Sequence, residues 1–116
     1  MVCPRFPRPA SEAVITGLAP HIEVITIGGT TCGKPVGFSP IDYRGLSYWV
    51  INFKLRNAAD QGDYFEGLAP TCEVKEDLRQ SLGTPDEALF AEALHYMAKG
   101  RCSEKAALSR PRAQNP

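Results

Sequence analysis

Ile22–Gly37 reads IEVITIGGTTCGKPVG, and this stretch decides the fold class. Ile22–Ile27 is β-branched and mostly apolar, the pattern of a strand covered on both faces. Gly28 and Gly29 stop that strand, and GGTTCGKPVG is expected as a loop. Just upstream, Ala10–Leu18 reads as a short helix. Pro9 suits a first helical turn, where the missing N–H costs nothing, and Glu12 lies near the positive end of the helix dipole. Pro20 ends the helix. A helix followed by a buried strand predicts an α/β piece.

Downstream, Ser47–Arg56 alternates with a period of two. Trp49, Ile51, Phe53 and Leu55 point one way; Asn52, Lys54 and Arg56 point the other. The pattern predicts a half-exposed strand with Trp49 and Phe53 in the core. Asn57–Gly67 is a polar loop, and Leu68–Val74 is a short extended segment. Thr84-Pro85-Asp86-Glu87 has the chemistry of a helix start: Thr84 as cap, Pro85 in the first position, Glu87 completing a capping box. Leu89, Ala93, Leu94 and Met97 form that helix's apolar stripe, and Gly100 closes it. Met1–Arg8, with two prolines, and residues 103–116 are expected to be disordered. The sum is an α/β piece with few strands, two main helices and an exposed sheet edge.

Thirteen basic residues balance thirteen acidic ones, so there is no basic footprint for nucleic acid. The longest nearly apolar stretch, Ile22–Gly29, is too short to span a bilayer. His21 and His95 lack spaced partners and the four cysteines lack zinc spacing, so neither metal nor cofactor is expected. Cys72 and Cys102 can pair in an oxidising compartment; four free thiols in a reducing cytosol fit the sequence equally well. Asp63 and Glu66 lie in a polar loop and read as solvated.

Gly28–Lys34 matches the G-x-x-x-x-G-K core of a phosphate-binding loop after a strand. That chemistry needs a hydroxyl residue after the lysine and then a helix whose amides face the phosphates. Pro35 supplies neither hydroxyl nor amide, and the reading is rejected.

Several segments carry a different pattern in a fixed order. They are Pro9-Ala10-Ser11-Glu12, Gly17-Leu18, the IEVITIGG strand, Thr31–Gly37, Gly62–Pro70 (GDYFEGLAP) and Leu82–Leu89 (LGTPDEAL). Taken together they resemble the tail-specific, or C-terminal processing, serine peptidases over roughly Pro9 to Cys102. The resemblance implies the C-terminal part of a crotonase/ClpP-like core with a Ser-Lys dyad. In such a site an unprotonated lysine takes the serine's proton, and a helix start helps to stabilise the oxyanion.

Carried over residue by residue, Lys34 is the general base, Gly33 and Ala10 are the loop and oxyanion positions, and the nucleophile position is Pro9. Ser11 matches the second serine of the motif. Two residues along a helix is a rotation of about 200°, which turns its hydroxyl away. Phe38 stands where many members have a glutamine that orients the lysine. Met1–Arg8 does not resemble the strand and glycine loop that would precede the serine.

The resemblance therefore implies a truncated serine endopeptidase without its nucleophile, from a family that acts on C-terminal segments of polypeptides. A reading frame that begins after a disruption would explain the missing part. The alternatives are a non-catalytic module that docks another protein, such as an intact paralogue, and a gene remnant with no role. Relatives are often periplasmic or secreted; nothing in this chain directs export, so as written it reads as cytoplasmic.

Overall fold

A computed structural model describes residues 9–108. The expected lead over residues 1–8 and the end of the expected tail, 109–116, lie outside the described residues. Helices and a few short strands are mixed along the chain. They pack as two compact units rather than one. The first runs to Val24 and resumes over Thr31–Leu68; the second takes Ile25–Thr30 and the described chain from Ala69.

In the first unit, α1 covers Pro9–Leu18 with Glu12 in its first turn. The chain leaves it through a tightened turn, in which His21 and Ile22 both donate to Leu18 O. Val36–Tyr43 (β2) and Leu46–Lys54 (β3) then form an antiparallel hairpin, with register running from Phe38↔Ile51 to Tyr43↔Leu46. Arg44 and Gly45 turn the hairpin with φ of 50° and 76°, the left-handed pair that a two-residue hairpin requires.

Strand β2 is absent from the sequence reading because Gly37, Ser39 and Pro40 all disfavour strands. Pairing with β3 overrides them. The register shifts between Gly37 and Phe38. There the Phe53 ring lies so close over Gly37 that any side chain would collide with it. The expectation that β3 is half-exposed is corrected. All nine of its residues are exposed, with Trp49 at 63% and Phe53 at 48%, so neither is core.

In the second unit, Ile27–Gly28 (β1) pairs in parallel with Cys72–Glu73 (β4). The six-residue buried strand expected over Ile22–Ile27 shrinks to its last residue, and Ile22 is 55% exposed. Thr26 and Thr71 explain the shortening. The Thr26 N–H donates to Thr71 Oγ1 at 3.1 Å and the Thr71 N–H to Thr26 Oγ1 at 3.0 Å. Hydroxyls thus take the place of the next ladder bonds.

Helix α2 spans Ala88–Lys99, three residues later than its expected start at Pro85. Glu87, not Thr84, caps it, accepting from the Leu89 and Phe90 amides at 2.9 Å each. Thr84 instead donates its hydroxyl to Ser81 O. Gly100 closes the helix as expected, left-handed at φ 67° and donating to Tyr96 O. The expected stripe is corrected in part: Leu94 and Met97 are exposed, and the buried residue of α2 is Glu92. Its carboxylate accepts from Ser103 N at 2.8 Å and Ser103 Oγ at 2.6 Å. Ser103 in turn accepts from Ala106 N, starting a short helix, α3 (Glu104–Leu108), where a disordered tail was expected. No helix among the described residues is long and apolar enough to cross a membrane.

Cys72 and Cys102 form a disulfide that ties β4 to the segment after α2. Cys32 is also disulfide-bonded. No described cysteine is free, which removes the reading of four thiols. The Cys72–Cys102 link spans 30 residues, for which chain-entropy reasoning gives about 3–4 kcal/mol. Cys102→Ser should therefore lower the unfolding free energy extrapolated from urea denaturation without reductant by that order.

Candidate functional site

Glu12 organises the first unit. It is 2% exposed, and its carboxylate reaches from the first turn of α1 to the lysine loop. Oε1 accepts from the Gly33 N–H at 2.6 Å and Oε2 from the Lys34 N–H at 2.9 Å. A buried carboxylate is tolerated only when hydrogen-bonded in this way. Burial by itself raises its pKa. The Thr31 hydroxyl and the amides of Lys34, Gly33 and Cys32 outweigh that effect and hold the carboxyl below its usual range.

Gly33 adopts φ 74°, and a Cβ there would strike the backbone of Phe65 and Gly67. The loop can pass beneath that segment only as glycine. Thr31 adds two clasps, its N–H donating to Leu68 O and its Oγ1 accepting from Leu68 N. Asn57 fastens the following loop to α1, donating to Thr16 O at 3.0 Å.

These bonds bring Lys34 and the start of α1 to one open cleft of about 340 Å³, lined by Ala10, Ala13, Lys34, Val36, Phe38 and Phe53 among others. The Lys34 amine lies 5.3 Å from the centre of the Phe38 ring, an attractive cation–π placement. Among the described residues no carboxylate lies within ion-pair distance of that amine. Phe38 is thus an aromatic support for the lysine.

Ser11 is exposed and lies apart, in a depression of about 370 Å³ with Ala10, Val14 and Ile15. The Gly33 amide donates to Glu12, and Ala10 lies in the first helical turn, where amides lack intrahelical acceptors.

The phosphate-loop look-alike resolves in the same geometry. Its Gly33 and Lys34 amides bind the chain's own carboxylate, and β2 follows in place of a helix. Asp63, read as solvated, forms an ion pair with Lys54 at the surface. One group could suggest a metal site, since donor atoms of Cys72, Glu92 and Cys102 lie within 4.8 Å of one another. Both sulfurs are in the disulfide and both Glu92 oxygens accept from Ser103, so this group has no thiolate to offer.

Sequence reasoning missed Glu12 as a clamp. Its only signal was a carboxylate in a first helical turn, which dipole complementarity already explains. Set against family models, curated proteins and solved structures, the chain matches none.

Because the Glu12 carboxyl titrates lower when folded than its ordinary value of 4.5, its contribution is present above that pH and is lost as pH falls further. Glu12→Gln should remove this acid dependence. It should also cost about 1.5–3 kcal/mol at neutral pH, the range for hydrogen bonds to a charged group. Urea unfolding of both proteins at pH 3 and pH 7 measures both effects.

Proposed function

We propose that this chain carries the lysine side of a Ser-Lys peptidase site, on the C-terminal part of a tail-specific peptidase core of crotonase/ClpP-like type, and does not itself hydrolyse peptides. The observation that carries this reading is the shared cleft: Lys34 and Ala10 line it together, with Glu12 fastening the lysine loop to the first turn of α1. A lysine held beside a helix start is the geometry in which an amine takes a proton from a nucleophile while helix amides face the oxyanion.

The nucleophile position falls on Pro9, the first residue of α1. Proline has no hydroxyl with which to attack a carbonyl. Ser11, two residues on, lines a different depression from Lys34. With the Gly33 amide engaged by Glu12, the oxyanion side is incomplete as well. Peptide-bond hydrolysis by Lys34 alone has no covalent step to assist.

The disulfides add a setting. Such bonds persist in oxidising compartments, which agrees with the exported location common in this family. A second reading, a non-catalytic module that docks another protein, is favoured by the exposed β2–β3 hairpin.

A fluorophosphonate probe and a fluorogenic peptide test the first reading. Neither should react with the chain, and labelling abolished by Ser11→Ala would overturn the assignment. Pro9→Ser should also show no turnover, because it restores only one of the missing parts. Turnover by Pro9→Ser that Lys34→Ala abolishes would refute the inactivity and keep the dyad.

A further inference from the structure

The disulfide of the second unit lies against a buried carboxylate. Donor atoms of Cys72, Cys102 and Glu92 are all within 4.8 Å of one another. Cys72 is fully buried and Glu92 is 5% exposed. Ser103 N and Oγ each donate to one Glu92 oxygen, and a carboxylate oxygen has a second lone pair to offer. In the oxidised chain the group holds no thiolate; reduction of the Cys72–Cys102 bond supplies two.

The backbones that carry the two sulfurs are held by bonds other than the disulfide. The Cys72 N–H donates to Thr26 O at 3.0 Å, and beyond it the Val74 N–H donates to Gly28 O. Next to Cys102, Ser103 is fastened to Glu92 by the two bonds above. The cysteine Cα atoms are 5.6 Å apart, so both sulfurs reach a common point between them. Opening the S–S bond leaves two thiols beside the same carboxylate.

We propose that in the reduced chain Cys72, Cys102 and Glu92 bind one zinc-class divalent cation, so that metal and disulfide are alternative closures of the same link across 30 residues. Two thiolates and a carboxylate suit a borderline-soft ion. Zinc holds sulfur at about 2.3 Å and carboxylate oxygen at about 2.0–2.2 Å, so tetrahedral donors lie about 3.5–3.8 Å apart. That spacing falls inside the observed 4.8 Å spread. Ser103 orients the Glu92 ligand as an outer-shell partner. The fourth position falls to water, which reaches Glu92 and Ser103 from an open cavity of about 830 Å³ that both line. A dithiol supplies the reduction: it gives two electrons and two protons to the disulfide and closes into its own ring. The cation then displaces the two thiol protons. A disulfide oxidant reverses both steps and releases the ion. This inference does not depend on the peptidase reading.

The full chain, reduced with dithiothreitol, desalted under nitrogen and titrated with Co²⁺, tests it. The expected result is one ion per chain with a thiolate-to-cobalt charge-transfer band that the oxidised chain lacks. Cys72→Ser should abolish the band and Cys32→Ser should keep it. Competition for Zn²⁺ with a chromophoric chelator should show Ser103→Ala weaker than the wild type by about 10–100-fold, and Glu92→Gln weaker by at least as much. Absence of the band in the reduced wild type, a band that survives Cys72→Ser, or Glu92→Gln binding Zn²⁺ as tightly as the wild type would overturn the proposal. Release supplies a readout that needs no variant. Oxidised glutathione added to the zinc-loaded chain should free one Zn²⁺ per chain as the disulfide re-forms, and retention of the ion after it re-forms would overturn the proposal as well.

Discussion

One carboxylate holds the first unit together. Glu12 receives two consecutive backbone amides, Gly33 and Lys34, on its two oxygens, and so fixes where the loop leaves α1 and where β2 begins. The arrangement needs Gly33 at positive φ, because the loop passes beneath the backbone of Phe65 and Gly67 with no room for a side chain. Without the carboxylate those amides would be left partly buried and unpaired, a cost comparable to that of the bonds themselves.

The same device recurs. Three glutamates, Glu12, Glu87 and Glu92, are buried among the described residues, and each accepts at least two hydrogen bonds from nearby N–H or O–H groups. Thr26 and Thr71 do for the β1–β4 pair what a longer ladder would do elsewhere. Elements this short supply few backbone bonds of their own, so side-chain acceptors finish them. The buried hydrophobic core is correspondingly slight, represented among the described residues by Cys72 and Ala106. The Cys72–Cys102 link carries part of the load that a larger core would bear.

Both functional readings follow from what this economy leaves exposed. The clamp on the lysine loop leaves Lys34 lining one cleft with the start of α1, its amine 5.3 Å from the centre of the Phe38 ring. The β2–β3 hairpin keeps large apolar side chains exposed, Trp49 and Ile51 most of all.

The sequence by itself determined the local features that depend on near neighbours. The helix at Pro9–Leu18, the period-two run of β3, the left-handed stop at Gly100 and the failure of the phosphate-loop motif at Pro35 were all legible from residue type and spacing. Tertiary structure decided whatever depended on a distant partner. Strand β2 exists only because β3 pairs with it against the preferences of Gly37 and Pro40. The IEVITI run loses most of its strand because Thr71, 45 residues away from Thr26, offers hydroxyl bonds in place of a ladder. Alternation in β3 indicated a buried face, but alternation records only which side chains share a side, and all nine residues of β3 are exposed. Glu12 could be read as an answer to a helix dipole; that it holds a loop 21 residues downstream is a fact of three-dimensional proximity, which no local pattern encodes.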